Sequence, residues 1–179
     1  MNIFILFAHL LNWFYGYEGI NILFRISPSR YTISILRHFG AKIGKGVRIQ
    51  APFMIHNADQ VELIYYNLVI GDDCYIGRDC IFDIMDKISI GDRVTISHRA
   101  VFNTHTNAGK SPIASKILIN TRGKIKINDG AYFGSNVTVL ESVNIGSNTI
   151  IGAKSLVNKD IPDGFTAFGV PCKIIKSHL

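Results

Sequence analysis

Cysteine, charge and long apolar runs are all scarce in this sequence. Its three cysteines, Cys74, Cys80 and Cys172, form no CxxC pair. An odd number without metal-type spacing excludes a disulfide scaffold and suggests a reducing compartment. Only 18% of residues are charged against 47% hydrophobic, which excludes a disordered chain, and five prolines among 16 glycines exclude a collagen-like one. No run reaches the ~20 apolar residues that span a bilayer. Ile3 to Tyr15 is interrupted by His9 and Asn12, and its continuation to Phe24 carries Gly16, Glu18 and Gly19. That run has no basic leader and no small-residue cleavage site, so it does not read as a signal peptide. The net charge of +6 comes without a zinc-finger, helix-turn-helix or aromatic RNA-binding pattern. Nucleic acid is therefore not the expected partner, and a phosphorylated ligand suits the charge better.

What the sequence does have is a period of six. Ile127, Phe133, Val139, Ile145, Ile151 and Val157 recur without exception. Four residues after each of the first five comes a small or β-branched residue: Ala131, Val137, Val143, Thr149 and Ser155. The frame is already present in Ile43, Ile49 and Ile55, in Ile70, Ile76 and Phe82, and in Ile90, Ile96 and Phe102, with Gly44, Gly71, Gly77 and Gly91 next in line. A helix needs spacings of three and four, and an alternating strand needs spacings of two. Six fits short strands separated by turns, three to a triangular coil of about eighteen residues, stacked into a solenoid by parallel pairing. Cys74 and Cys80 occupy equivalent repeat positions and read as small core residues. Three interruptions break the frame: Asn57 to Leu68, Ile84 to Ile88, and Thr106 to about Asn120. Excursions from a rigid scaffold are where function tends to sit.

From residue 41 to 176 the pattern resembles the hexapeptide-repeat acyltransferase superfamily, and the segment Asn103-Thr104-His105-Thr106-Asn107 resembles the active-site histidine region of the sugar and colanic-acid-type O-acetyltransferases. The resemblance implies an all-β fold, a left-handed parallel β-helix over 41–179 with an active-site loop after His105. Residues 1–40 read from their own composition in two ways: a short apolar helix that caps the coil or packs on a neighbouring subunit, or an interfacial membrane contact through residues 3–24, with Phe4, Phe7, Trp13, Phe14 and Tyr15 backed by Arg25, Arg30 and Arg37. The resemblance also implies acetyl-CoA as acyl donor, no metal, a homotrimer on the cytoplasmic side, and a glycan or other small-molecule acceptor, with a place in surface-polysaccharide synthesis.

Transfer of an acyl group to a hydroxyl needs a base for the proton and donors for the oxyanion. His105 is the expected base and Asp83, one coil earlier, the group that orients it, with His98 in a possible supporting role. The resemblance places the oxyanion donor at the Ser135 N–H, lines the pantetheine groove with Ala153, Asn158 and Lys159, and brings Lys173 and Lys176 to the phosphates. Tyr132 stands where relatives commonly carry Trp, and the two lysines where they often carry Arg. Two other readings remain open: a non-catalytic β-helix serving as scaffold or sugar-binding module, and a zinc β-helix enzyme, for which a third histidine at suitable spacing is missing.

Overall fold

The computed structural model describes residues 3–58, 64–112, 114 and 116–178. The centre of the first interruption (59–63) and residues 113 and 115 of the third lie outside the described residues.

Three helices come first: α1 (Ile3–Tyr15), α2 (Tyr17–Phe24) and α3 (Ser29–His38). The chain then winds through strands of two to four residues. The first turn is β1 (Lys42–Ile43), β2 (Arg48–Ile49) and β3 (Phe53–His56). The second is β4 (Leu68–Ile70), β5 (Tyr75–Ile76) and β6 (Cys80–Asp83), and the third β7 (Ile88–Ile90), β8 (Thr95–Ile96) and β9 (Val101–Phe102). An antiparallel pair follows, β10 (His105–Thr106) with β11 (Thr121–Arg122). The fourth turn is β12 (Ile125–Ile127), β13 (Tyr132–Phe133) and β14 (Thr138–Val139), and the fifth β15 (Asn144–Ile145), β16 (Ile150–Ile151) and β17 (Leu156–Val157). Finally β18 (Phe165–Phe168) pairs parallel to β16 and is covered by antiparallel β19 (Lys173–Ser177).

Each turn contributes one strand to each of three parallel sheets in fixed rotation. Sheet one begins β1-β4-β7, sheet two β2-β5-β8 and sheet three β3-β6-β9. Three corners result: from sheet one to two, from two to three, and from three back to one. The six-spaced repeat residues point inward, and nearly all are buried to within a few per cent. A column of rings runs through them, with centroids 5.3 Å apart for Phe53–Phe82, 4.8 Å for Phe82–Phe102 and 5.8 Å for Phe102–Phe133.

The glycines after the core positions do a different job from the one turn chemistry suggests. The left-handed backbone falls two residues later, on Asp73, Asp79, Arg93, Asn136 and their equivalents. The glycine itself is required by stacking: a Cβ on Gly134 would lie 2.5 Å from the Ala153 nitrogen of the next turn.

The helices close the open end of all three sheets, one side chain to each. Arg37 donates to the Ile43 carbonyl of β1 at 2.9 Å, Ser29 Oγ accepts the Ile49 N–H of β2 at 2.8 Å, and buried Asn21 bonds both backbone groups of Ile55 in β3 at 2.8 and 3.0 Å. An unpaired sheet edge is a template for aggregation, so these contacts serve as strand substitutes.

Candidate active site

All three interruptions of the repeat leave from the same place. The first lies between β3 and β4, the second between β6 and β7, and the third between β9 and β12, so each departs at the third corner, on successive turns. Stacking brings residues far apart in sequence into register there, with His56 opposite Asp83.

Asp83, 4% exposed, is the centre of this corner. Its Oδ1 accepts from Asn57 Nδ2 at 2.8 Å, and its Oδ2 accepts the Thr104 N–H at 2.9 Å and His105 Nδ1 at 2.6 Å. Thr104 is fully buried. Its hydroxyl donates to the Asp83 carbonyl and accepts the Asp86 N–H, both at 2.9 Å, which ties the second turn to the third. Burial pushes the Asp83 carboxyl up, but hydrogen bonds from Asn57, His105 and Thr104, with the charge of His105, outweigh it and hold the group below its ordinary 3.8. An ionised carboxylate only accepts, so His105 Nδ1 carries the proton of the shared bond, and in the uncharged tautomer the lone pair lies on Nε2. Nε2 has no partner among the described residues, and the side chain is 22% exposed.

A cleft of 460 Å³ opens beside this pair, lined among others by Tyr17, Asn57, Asn67, Met85 and Arg122. Arg122 lies opposite His105 in the two-stranded ladder, with Nε 3.5 Å from the Asp86 carboxylate. Glu141, at the same corner one turn on, accepts the hydroxyls of Thr106 and Thr121 and props the base of the excursion.

The other expected site residues lie apart from His105. Ser135 and Ala153 are stacked at the second corner, where the Lys154 N–H bonds the Ser135 carbonyl at 2.8 Å. The backbone N–H groups of Ser135 and Ala153 donate to nothing among the described residues. His98 is also at the second corner, its Nδ1 3.2 Å from Ser135 Oγ, in a cleft of 510 Å³ that includes Arg78 and Arg99. The two candidate histidines are thus divided by the width of sheet three. Asn158 and Lys159 follow β17 at the third corner, and Lys173 and Lys176 are exposed on β19. Burial raises the thiols of Cys74 and Cys80, the latter to about 11, so neither is poised as a nucleophile. Among the described residues no three His, Cys, Asp or Glu side chains converge to hold a metal.

Sequence reasoning missed Asn57, Thr104, Tyr17, Arg122 and Glu141. One signal was available: counting hexapeptides in threes places every interruption after the third strand of a turn, and hence at one corner.

Residues 67–97 and 124–158 match the hexapeptide repeat of succinyl-transferase. The chain is 31% identical over 149 residues to the galactoside O-acetyltransferase of Lactococcus lactis, a match covering 83% of this chain and 69% of that protein. It is 30% identical over 161 residues to the putative colanic acid biosynthesis acetyltransferase WcaF of Escherichia coli, with 88% and 82% covered. A solved galactoside acetyltransferase in complex with coenzyme A superposes with a TM-score of 0.75 at 25% identity, over 89% of this chain and 78% of that one. At that identity and coverage, and with a six-residue repeat winding through three parallel sheets, this chain belongs to the hexapeptide-repeat acyltransferase family.

Proposed function

We propose that the protein transfers an acetyl group from acetyl-CoA to a sugar hydroxyl, with His105 as general base, in the assembly of a surface polysaccharide. The observation that carries this reading is the 2.6 Å bond between Asp83 Oδ2 and His105 Nδ1, which leaves Nε2 without a partner among the described residues. Nε2 takes the proton as the acceptor oxygen attacks the thioester carbonyl, and Asp83 stabilises the imidazolium that forms. The tetrahedral oxyanion is met by a backbone N–H at the second corner, that of Ser135. When the carbon–sulfur bond breaks, the proton on Nε2 passes to the departing sulfur, so the base is regenerated without a covalent enzyme intermediate. The cleft lined by Tyr17, Asn57 and Arg122 suits a hydroxyl-rich acceptor, which their phenol, amide and guanidinium groups would bond.

The division between corners bears on assembly. His105 at the third corner and Ser135 with Ala153 at the second lie on opposite margins of sheet three, so one chain does not bring base and donor groove together. A homotrimer in which the third corner of one subunit faces the second corner of the next completes three equal sites. In that arrangement Asn158 and Lys159 face the same groove across the interface, while Lys173 and Lys176 reach the phosphates of the donor. Sheet two adjoins the second corner and exposes Tyr75, Tyr132 and Ile150, with half-buried Thr95 between the two tyrosines, a surface suited to burial between subunits. The left-handed sense of the coil and a cytoplasmic position, where acetyl-CoA is made, complete the reading.

The test is acceptor-dependent release of CoA thiol, measured over a panel of sugars and galactosides with the wild type and His105→Ala. Acetylation of a sugar hydroxyl by the wild type, lost in the variant, supports the proposal. A variant that transfers acetyl at the wild-type rate contradicts it.

A further inference from the structure

The N-terminal helices present a face that acetyl transfer does not use. One side of α1 is seated on the protein: Ala8 is fully buried, Phe4 stacks on Tyr31 with centroids 4.0 Å apart, and His9 Nε2 meets His38 Nε2 at 2.7 Å. The other side carries Ile3, Leu6, Phe7, Leu10, Trp13 and Phe14, each between 49% and 78% exposed. Spacings of three and four place all six on one stripe of the helix. A helix facing water places polar side chains there, and this stripe has none. Exposed Tyr15 ends the helix, and exposed Ile22 and Ile26 extend the apolar surface beyond it.

Charge is concentrated at the same end of the molecule. The three helices and the loops that join them hold Arg25, Arg30 and Arg37 against a single acid, Glu18. Glu18 is itself engaged by Asn21 at 2.9 Å. The Arg30 guanidinium lies 4.5 Å from the centroid of the Tyr31 ring that stacks on Phe4, so a positive group is held at the margin of the stripe. Arg25 is exposed next to Ile26. Among the described residues no helix is long and apolar enough to cross a bilayer. An apolar stripe with aromatic side chains at one end and arginines at its margin is the pattern of a helix that lies in the interface.

We propose that the helix-capped end of the solenoid docks on an anionic lipid surface, with the α1 stripe entering the headgroup boundary and Arg25 and Arg30 meeting lipid phosphates. A second copy is the poorer occupant, because two such ends face to face would bring the exposed Arg25 and Arg30 of each copy together, whereas anionic lipid satisfies both the stripe and the charge. The inference stands apart from the acetyl-transfer reading, and its test requires no activity.

Trp13 is the only tryptophan of the chain, so its emission reports on this helix alone. Full-length protein should show a blue shift of that emission, and should co-float, with phosphatidylcholine vesicles doped with phosphatidylglycerol. Binding should weaken with added salt and be much poorer on pure phosphatidylcholine. The double variant Leu6→Ser/Phe14→Ser should lose on the order of ten-fold or more in vesicle affinity while keeping its assembly mass and acetyl-CoA binding. Absence of any shift or flotation with doped vesicles would overturn the proposal. So would equal binding to both vesicle types, or a fall in assembly mass in the double variant, which would assign the stripe to a second copy.

Discussion

The second and third corners of this solenoid are made from the same six-residue unit, yet one is kept smooth and the other is interrupted three times in succession. At the second corner the chain passes through Gly77, Ser97, Gly134 and Gly152 without an extra residue, and Ser135 and Ala153 stack with their N–H groups unused. At the third corner the turns release Asn57, Met85 and the excursion after His105, and side chains take over the tying of one turn to the next. A smooth corner leaves room for an extended ligand lying along the stack. An interrupted one supplies side chains in three dimensions around a cleft. The rigidity of the coil permits the second, because a fixed register turns separations of 22 and 26 residues into bonds of 2.6 and 2.8 Å.

The sharpest way to break the proposed division between corners is at His105, the proposed base. His105→Ala should lower turnover by roughly 10²–10⁴-fold and leave acetyl-CoA affinity unchanged. Calorimetric titration beside a thiol-release assay separates the two, and an equal loss of donor binding would assign the histidine a structural role.

Asp83→Asn probes the same corner more gently. A neutral amide that keeps its oxygen toward the Thr104 N–H and Nδ1 no longer stabilises the imidazolium, so turnover should fall by about 10²-fold with the fold retained. The variant should also change stability in acid. The carboxyl of Asp83 is lower in the fold than its ordinary 3.8, so the stability it contributes is fully present above that value and is lost as pH falls through the depressed one. Denaturant titrations should therefore show a shallower decline below about pH 4 in Asp83→Asn than in the wild type. An identical acid limb in both proteins would remove Asp83 as its source.

The smallest effect is expected at the far end of the smooth side. Lys173→Ala with Lys176→Ala should weaken acetyl-CoA by about ten-fold, less at high salt, while turnover at saturating donor stays near that of the wild type. Weakening that is insensitive to salt would argue against a phosphate contact.

Much of the scaffold is legible in the sequence, because burial in a stacked coil depends on one residue in six and Ile127 through Val157 keep that beat without exception. His105 and Asp83 stand out because their chemistry is distinctive and their flanking repeats fix where they fall. Asn57 and Thr104 are ordinary polar residues in sequence. They acquire their roles only when the lengths of the interruptions set which turn lies over which, and that register is a tertiary quantity. The glycines are a subtler case: Gly134 reads as a turn residue, but the left-handed position belongs to Asn136 and the glycine answers to the neighbouring turn at 2.5 Å. Likewise the capping of three sheet edges by Asn21, Ser29 and Arg37 has no local signature, since each partner lies in a strand up to 34 residues away.

The most direct test of a site shared between corners is complementation. Chains carrying His105→Ala and chains carrying Ala153→Trp, which fills the groove at the second corner, are each expected to be inactive alone. Co-expressed with different tags and purified through both, they should regain about a third of the wild-type activity per site, because each mixed trimer has one interface in three that pairs an intact base with an intact groove. Mixed assemblies no more active than either variant by itself would place both halves of the site in one chain and contradict the division between corners.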